Sequence, residues 1–453
     1  MKSIESKGGR KEALEVLYIL ETKGGHADEL LSSLFEESGL SKKDRALATQ
    51  LVYGVLRWRN RLDWIIEQFS SRKLKKTTPW ILNILRLGIY QQLFLDRIPH
   101  SAAVNESVKL AHRFGHRGTV AFVNALLREV SRKKEEIDYP GREKDPVFYL
   151  SVTHSHPGWL VARWLKRFGF DITEEICREN NVIPPLTIRV NTMKTTVREL
   201  KQELEEKGLS VSPCYYVKDG LKLTIGIDFL NLDSFEKGLF QVQDEASMLI
   251  ADLLSPDSGS TILDVCAAPG GKTTHLAQIM NDQGDIFAGD LRKERLGRLK
   301  DNCRRLGINR VKAFCIDARK PLPFKRKFDG ILIDAPCSNL GVLRRNPDAR
   351  WQKSESDINF LAGIQHEILG NVSLLLKKGG ALVYSTCSYE PEETREVVKK
   401  FLKSNHDFII DDPKPFLTEN ARELVNGEGY FESLPNKHEM DGFFGVRLKK
   451  LQS

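Results

Sequence analysis

From about residue 241 onward, short apolar runs alternate with charged, helix-length stretches. TILDVC (261–266), DIFAGD (285–290), VKAFCID (311–317), FDGILID (328–334) and ALVYSTCS (381–388) have the length and β-branched content of buried strands. Helices are expected at 272–280, through Leu306, over about 357–376 and after Pro391, with DFIID (407–411) and GFFGVRLKK (442–450) closing the sheet. This rhythm predicts a doubly wound, mostly parallel α/β sheet. Such sheets bind ligands beyond the carboxyl ends of their strands, so the residues that end each run are the place to look for chemistry.

The first run ends near Asp264 and passes into CAAPGGK (266–272). Gly270 and Gly271 permit a tight turn and a close backbone approach to a ligand. Twenty residues after Gly270 the second run ends in Asp290, where a carboxylate can accept both hydroxyl hydrogens of a ribose. Asp317 ends the third run, in position to hydrogen-bond the base of the same nucleoside. A phosphate loop would need glycine at 266, where Cys266 stands, and a dinucleotide site would need G-x-G-x-x-G, which is absent. A nucleoside without a diphosphate fits better, as in S-adenosylmethionine with its ribose, adenine and charged amino-acid tail. The plainer reading makes the glycines turns and the aspartates strand-end caps. The coincidence of all of them in register favours a site.

The fourth run ends in Asp334-Ala-Pro-Cys337 and the fifth in Ser385-Thr-Cys387, so two thiols are expected to face one cleft. Cys266, Cys303 and Cys315 read as packing cysteines, whereas Cys337 and Cys387 have polar, turn-forming neighbours. None of the seven cysteines forms C-x-x-C, which excludes a zinc ribbon and a thioredoxin-like motif. His154 and His156 before Pro157 read as a loop, and no metal is expected. Residues 13–20 are too short for a secretory signal and include Glu15. The apolar stretch Trp80 to Leu95 is cut by Asn83 and Arg86, so no membrane span is expected. Free thiols in a reducing cytoplasm follow.

Residues 1–140 read as helical, with apolar spacings of three and four and proline only at 79, 99 and 140. Between Arg57 and Lys134 there are 16 Lys and Arg against 5 Asp and Glu, in a chain whose net charge is +8. A basic helical surface of this kind suits a polyanion, and RWRNR (57–61) and RKLKK (72–76) are its densest spots. A solvated basic face is the alternative. Pro140-Gly141 reads as a linker. Residues 141–240 read as a small α+β unit: two helical stretches carrying Trp159 and Trp164, strands at 186–191, 211–217 and 221–225, and a charged helix at 195–207. Residues 241–453 form the α/β domain.

The segments DVCAAPGGKTTH (264–275), DAPCSNLGVLRRNPD (334–348) and STCSYEPEE (385–393) resemble RNA 5-methylcytosine methyltransferases of the Nop2/Sun family, as do QDEAS (243–247), RVN (189–191) and GFFGVRL (442–448). The basic helical start resembles a NusB-like RNA-binding domain. The resemblance covers nearly the whole chain and implies an all-α NusB-like domain, a small α+β domain and a Rossmann-like methyltransferase domain. It also implies S-adenosylmethionine as methyl donor and 16S ribosomal RNA as substrate. Action on the RNA before small-subunit assembly is expected, and nothing in the sequence demands more than a monomer.

Carbon 5 of cytosine is a poor nucleophile. A thiolate adding to carbon 6 makes it enamine-like and able to take a methyl group. The resemblance assigns that attack to Cys387, removal of the carbon-5 proton to Cys337, a hydrogen bond near N3 to Asp334, and contact with the base or Asp334 to Lys272. The cofactor would lie along Cys266, Ala267, Ala268, Pro269, Gly270, Gly271 and Lys272, with Asp290, Asp317 and Asp334 around it. Nearby positive charge is expected to lower the Cys387 pKa. DNA cytosine methyltransferases use the Pro-Cys thiol instead, and residue logic alone does not choose between the two. The RRNPD loop (344–348) is expected to help hold RNA while the base is flipped out. A non-catalytic assembly factor would not need both thiols. Transfer RNA and other ribosomal sites stay open as substrates, with the basic helical domain favouring 16S rRNA.

Overall fold

The computed structural model describes residues 8–70, 73–223, 229 and 232–452. It divides into two compact units, one of residues 1–182 with 343–353, the other of residues 183–342 with 354–453.

The first unit is helical: α1 (Gly9–Lys23), α2 (Ala27–Ser38), α3 (Lys42–Phe69), α4 (Pro79–Phe94), α5 (His100–Phe114), α6 (Arg117–Arg132), α7 (Pro146–Thr153), α8 (Gly158–Phe168) and α9 (Phe170–Glu179). Ser41 starts α3 by accepting from the Asp44 N–H, the usual way a first-turn donor is satisfied. Leu14, Leu51, Val55, Ile84, Leu85, Ile89 and Leu127 fill the core. Gly54 is required where α3 meets α4, because a Cβ there would stand 2.0 Å from the Tyr90 ring. The polar residues of α4 are buried and paired: Arg86 donates to both Asp63 oxygens at 2.6 and 2.8 Å and to Glu21 at 3.0 Å. The helices after Pro140 stay in this unit, where Asn60 of α3 bonds Ser151 Oγ and the His156 carbonyl.

The RWRNR cluster is engaged with protein partners, with Arg57 buried and Arg59 and Arg61 half-exposed. Arg57 is buried and donates to the Arg344 carbonyl at 2.9 Å. Arg59 pairs with Glu21 at 3.3 Å, and Arg61 lies over the Tyr139 ring while bonding its hydroxyl. Charge density in a sequence says nothing about burial, and these guanidiniums sit where helices pack. Of RKLKK, Lys73, Lys75 and Lys76 are exposed, and Arg72 lies outside the described residues. The RRNPD loop is likewise packed rather than open. Residues 343–353 belong to the helical unit, Arg344 and Asp348 are buried, and fully buried Arg350 donates to the carbonyls of Ser155 and Asn180 and to Asn181 Oδ1.

The second unit holds two sheets. The smaller has the order β2–β3–β1–β4, from β1 (Leu186–Val190), β2 (Val211–Pro213), β3 (Gly220–Leu223) and β4 (Phe240–Val242), all antiparallel, with α10 (Val197–Glu206) packed on it. Thr196 and Glu199 cap α10 reciprocally. The strand expected at 221–225 is described as far as Leu223, and its end lies outside the described residues. β4 has no apolar run of its own. Its identity comes from pairing Ile188 with Val242 and Val190 with Phe240.

The larger sheet has the order β10–β12–β9–β8–β5–β6–β7, with β11 (Tyr430–Glu432) beside β12. β5 (Thr261–Val265), β6 (Asp285–Asp290), β7 (Val311–Cys315), β8 (Phe328–Asp334) and β9 (Leu376–Thr386) are parallel. β12 (Phe444–Lys450) and β10 (Phe408–Ile410) add antiparallel pairs. In β8, Leu332 packs toward α11 (Glu245–Leu254) and α12 (Gly271–Ile279), while Ile331 and Ile333 pack toward α13 (Glu355–Ser373) and α14 (Arg395–Ser404). A strand covered on both faces reads as a continuous apolar run, which is why these strands stand out in the sequence. The chain builds β5, β6 and β7 outward on one side and then returns to place β8 on the other side of β5. That reversal opens a crevice at the carboxyl ends of β5 and β8. Among the described residues, no helix is long and apolar enough to cross a membrane.

Candidate active site

The turn after β5 is shaped by backbone that most residues avoid. Cys266 has φ +62° and Gly270 φ +101°, the left-handed region where glycine is least strained. A Cβ at Gly270 would also meet Leu299 at 3.0 Å. The turn is closed by Gly270 N donating to the Ala267 carbonyl at 2.8 Å, and Ala267 N donates to the Gly289 carbonyl at 3.0 Å. Arg189 of β1 braces its far side. The buried guanidinium donates to the Gly271 carbonyl at 2.8 Å, Thr274 Oγ1 at 2.9 Å, Gln278 Oε1 at 3.2 Å and the Gln243 side chain. Burial lowers its pKa to about 9. The RVN and QDEAS segments thus converge on the glycine turn.

Asp264 stands inside this turn. Its Oδ2 accepts from Thr273 Oγ1 at 2.6 Å, and its buried Oδ1 has no partner among the described residues. Burial first, then the neighbouring charges of Asp334 and Asp290, push its carboxyl up to about 7 against the Thr273 bond. Asp290 accepts from Ala268 N at 3.1 Å and Arg292 N at 2.9 Å, so it holds the 266–271 turn directly. Asp317 ends up beyond β7, as expected, but both its oxygens are taken by Arg319 at 2.9 and 2.8 Å, which holds its carboxyl at about 2.

At the end of β8, Asp334 Oδ2 accepts from Lys272 Nζ at 2.7 Å and Oδ1 from Ser385 Oγ at 3.1 Å. Lys272 Nζ also lies 4.9 Å from the centre of the Phe443 ring. The two thiols do meet: Cys337 Sγ and Cys387 Sγ are 2.8 Å apart. Asn339 Oδ1 accepts from Cys387 Sγ at 2.9 Å and from Cys337 Sγ at 3.6 Å. The Cys387 thiol is pushed well above its ordinary range by the Cys337 bond, burial and the charge of Asp334, with Lys272 pulling the other way. This runs against the expectation of a lowered pKa, because the Cys337 bond and burial outweigh the pull of Lys272. Gly341 N donates to the Cys387 carbonyl at 3.0 Å.

The crevice therefore gathers Lys272, Asp334, Cys337 and Cys387 at one edge and Asp290 with the 266–271 turn at the other. Asp264, the strand-end aspartate of the first run, joins them, and Thr273, Ser385, Asn339 and Glu393, which the sequence alone did not single out, complete it. Glu393 accepts hydrogen bonds from the serines that follow each thiol. Glu393 lies in the acidic run EPEE (390–393) and carries no signal of burial, so the Ser after each strand-end Cys is the clue that could have pointed to it. Among the described residues, no group of three or more His, Cys, Asp or Glu could hold a metal ion.

Residues 251–449 match the family model described as 16S rRNA methyltransferase RsmB/F. Residues 8–132 match the NusB family and residues 156–229 the ferredoxin-like domain of RsmF/B-like methyltransferases. The chain is 39% identical over 444 residues to the Bacillus subtilis (strain 168) protein named "Probable ribosomal RNA small subunit methyltransferase B", covering 97% of this chain and 98% of that one. The crystal structure of PH0851 superposes with a TM-score of 0.82 at 30% identity, covering 98% of both chains. NSun6 from Pyrococcus horikoshii with SFG superposes with a TM-score of 0.58 at 25% identity, over 66% of this chain and 99% of that one.

Proposed function

We propose that this chain, which belongs to the 16S rRNA methyltransferase RsmB/F family, transfers a methyl group from S-adenosylmethionine to carbon 5 of a cytosine in 16S rRNA through a covalent Cys387–carbon 6 adduct. The observation that carries the reading is the pair of thiols 2.8 Å apart beside the Lys272–Asp334 ion pair at the strand switch point. One thiol can form the adduct while the other is placed to undo it.

The turn fits the donor. Asp264 Oδ1 is a buried acceptor without a partner among the described residues, suited to an ammonium group. Gly270 lets the turn close against Leu299, where a Cβ would stand at 3.0 Å. Residues 266–272 and Asp290 would hold the nucleoside and its tail, with Asp317 and Asp334 bordering them. The P. horikoshii NSun6 structure contains SFG, an S-adenosylmethionine analogue, in the same fold. Bound S-adenosylmethionine supplies an electrophilic methyl group on a sulfonium centre.

In this mechanism the Cys387 proton passes to the Asp334 carboxylate and on to cytosine N3 as the Cys387 sulfur bonds to carbon 6. The carbon 5–carbon 6 electron pair then becomes available at carbon 5, which takes the methyl group. Asp334, with Lys272 beside it, faces the N3 edge where charge develops, and the ion pair is already ordered for that task. Cys337, having released its own thiol proton to solvent, takes the proton from carbon 5, and the N3 proton returns through Asp334 to the departing Cys387 sulfur. The electron pair left behind restores the double bond as the Cys387 sulfur departs from carbon 6. The raised Cys387 pKa implies that the thiolate forms once substrates are in place rather than in the resting protein.

Three parts divide the work in this reading: residues 1–140 hold RNA, 141–240 connect, and 241–453 carry the chemistry. A groove of about 760 Å³ between α5 and α6 is lined by Asn105, Lys109, His112, Arg117, Asn124 and Arg128. These recur at helical spacing on both walls, and the groove's one carboxylate, Glu106, is paired with Lys109 at 2.6 Å. We assign this groove to the phosphate backbone of the substrate. The protein would act as a cytoplasmic monomer on rRNA before small-subunit assembly.

The test uses radiolabelled S-adenosylmethionine with protein-free 16S rRNA, intact small subunits and bulk transfer RNA, followed by nucleoside analysis. Label in 5-methylcytidine from free 16S rRNA alone is the expected result. Label only in transfer RNA would keep the chemistry and refute the substrate.

A further inference from the structure

Glu393 is fully buried, and its two oxygens are shared between the loops that carry the thiols. Oε1 accepts from the Ser338 backbone N–H at 2.8 Å and from Gln365 Nε2 at 3.1 Å. Oε2 accepts from Ser338 Oγ at 2.5 Å and from Ser388 Oγ at 2.6 Å. Ser338 follows Cys337 and Ser388 follows Cys387. Gln365 adds a second hold on the first loop by donating to the Pro336 carbonyl at 2.9 Å, and the Tyr384 hydroxyl donates to the Glu393 carbonyl at 2.6 Å. All four donors to the carboxylate are neutral. An ionised carboxylate is an acceptor only, with about four lone-pair sites, and these donors fill them.

Burying a carboxylate without a cation is costly unless its hydrogen bonds are complete. A filler side chain would have closed the same volume at lower cost, so the arrangement calls for a reason. We infer that Glu393 is a positioning residue: its carboxylate fastens the Cys337 loop to the Cys387 loop and so sets the separation of the two sulfurs. Each serine is one peptide unit, about 3.8 Å, from its cysteine, so a shift at the carboxylate passes directly to the thiols. The inference rests on the two-thiol reaction proposed above, in which one sulfur must reach carbon 6 while the other reaches the carbon-5 proton. Misplacement by about 1 Å costs a catalyst on the order of 100-fold.

Two measurements on the full chain test it. The first needs no RNA. Phenylarsine oxide bridges two close thiols, forming two As–S bonds and releasing one water, and intact mass with peptide mapping reads the Cys337–Cys387 bridge. Wild type should form it, Cys337→Ala should not, and Glu393→Ala should lose most of it. The second is methylation of 16S rRNA. Glu393→Ala should lower kcat about 10- to 100-fold with the KM for S-adenosylmethionine unchanged. Glu393→Gln should recover most of the loss, because its amide oxygen still accepts from the two N–H donors and the serine hydroxyls can turn to accept from its NH2. If Glu393→Ala does not fold, Ser338→Ala with Ser388→Ala replaces it, with at least a tenfold loss of kcat expected. Bridging and kcat both within twofold of wild type would overturn the inference. So would equal losses in the Ala and Gln variants accompanied by loss of cofactor binding, which would mark a general fold element. If wild type methylates no RNA while bridging still depends on Glu393, the positioning role stands and the proposed reaction falls.

Discussion

Lys272 Nζ lies 2.7 Å from Asp334 Oδ2, so the ammonium beside the thiols is neutralised by a carboxylate of the same crevice. Asp334 raises the Cys387 pKa and Lys272 lowers it. Removing the carboxylate charge should therefore favour the thiolate. Asp334→Asn is expected to speed Cys387 alkylation by iodoacetamide at pH 7.5, while methylation falls. Peptide mass spectrometry of the alkylated protein measures it, and an unchanged or slower rate would mean that the ion pair does not control the thiol.

The two sulfurs should separate cleanly by role. Cys387→Ala should abolish methylation yet bind S-adenosylmethionine normally. Cys337→Ala should form the adduct and release it slowly, giving protein shifted by bound RNA on a denaturing gel. The shift should vanish in the double variant. Accumulation in Cys387→Ala alone would exchange the assignments.

Asp264 ties cofactor affinity to pH. Burial holds its proton up to about pH 7, and a ligand ammonium at Oδ1 favours the ionised form. Binding below pH 7 must then displace a proton, so affinity for S-adenosylmethionine should weaken by up to about tenfold per pH unit between 7 and 5. Asp264→Asn should flatten that profile in calorimetry. Stability of the free protein moves the opposite way. A carboxyl raised on folding contributes most below its unfolded value of about 4, and that contribution is lost as pH rises through about 7.

Arg189 should matter for stability before it matters for turnover. Arg189→Ala leaves the Gly271 carbonyl and Thr274 hydroxyl without their buried donor. A loss of about 3 kcal/mol in denaturant unfolding is expected, together with weaker cofactor binding as the glycine turn loosens. Arg189→Lys should recover little, since one ammonium cannot reproduce the fork.

The α5–α6 groove predicts a salt effect. Arg117→Ala with Arg128→Ala should weaken 16S rRNA binding and reduce the slope of log affinity against log salt by about 1.5, two phosphates at roughly 0.7 to 0.9 each. Cofactor binding should not change. An unaltered slope would place the RNA elsewhere.

The parallel strands were legible because burial on both faces writes apolar runs, and their polar ends pointed to Asp290, Asp334, Cys337 and Cys387. β4 and β11 were not legible: three residues carry little pattern, and these two are defined by pairing with β1 and β12, whereas the equally short β2 and β10 sit in longer strand-like runs. Charge misled at Arg57, Arg344 and Asp348, where a formal charge in the sequence is a buried, hydrogen-bonded group in the fold. The link from Glu393 to Ser338 spans 55 positions, and no periodicity encodes a tie across that distance. Asn339 was hidden for a different reason: its role depends on a φ of +62° that turns its amide beside the thiols.

Residues 343–353 belong to the helical unit although they are threaded through the middle of the α/β sequence. Modularity is thereby broken at the level of inheritance. A recombination that exchanged only the first 182 residues between relatives would replace the side chains that residues 343–353 are fitted to, the Asn181 amide that accepts from Arg350 at 2.9 Å and the Arg59 guanidinium 5.4 Å from the centre of the Trp351 ring. The two units must therefore travel through evolution as a matched set, and a functional chimera needs a second splice inside the other unit.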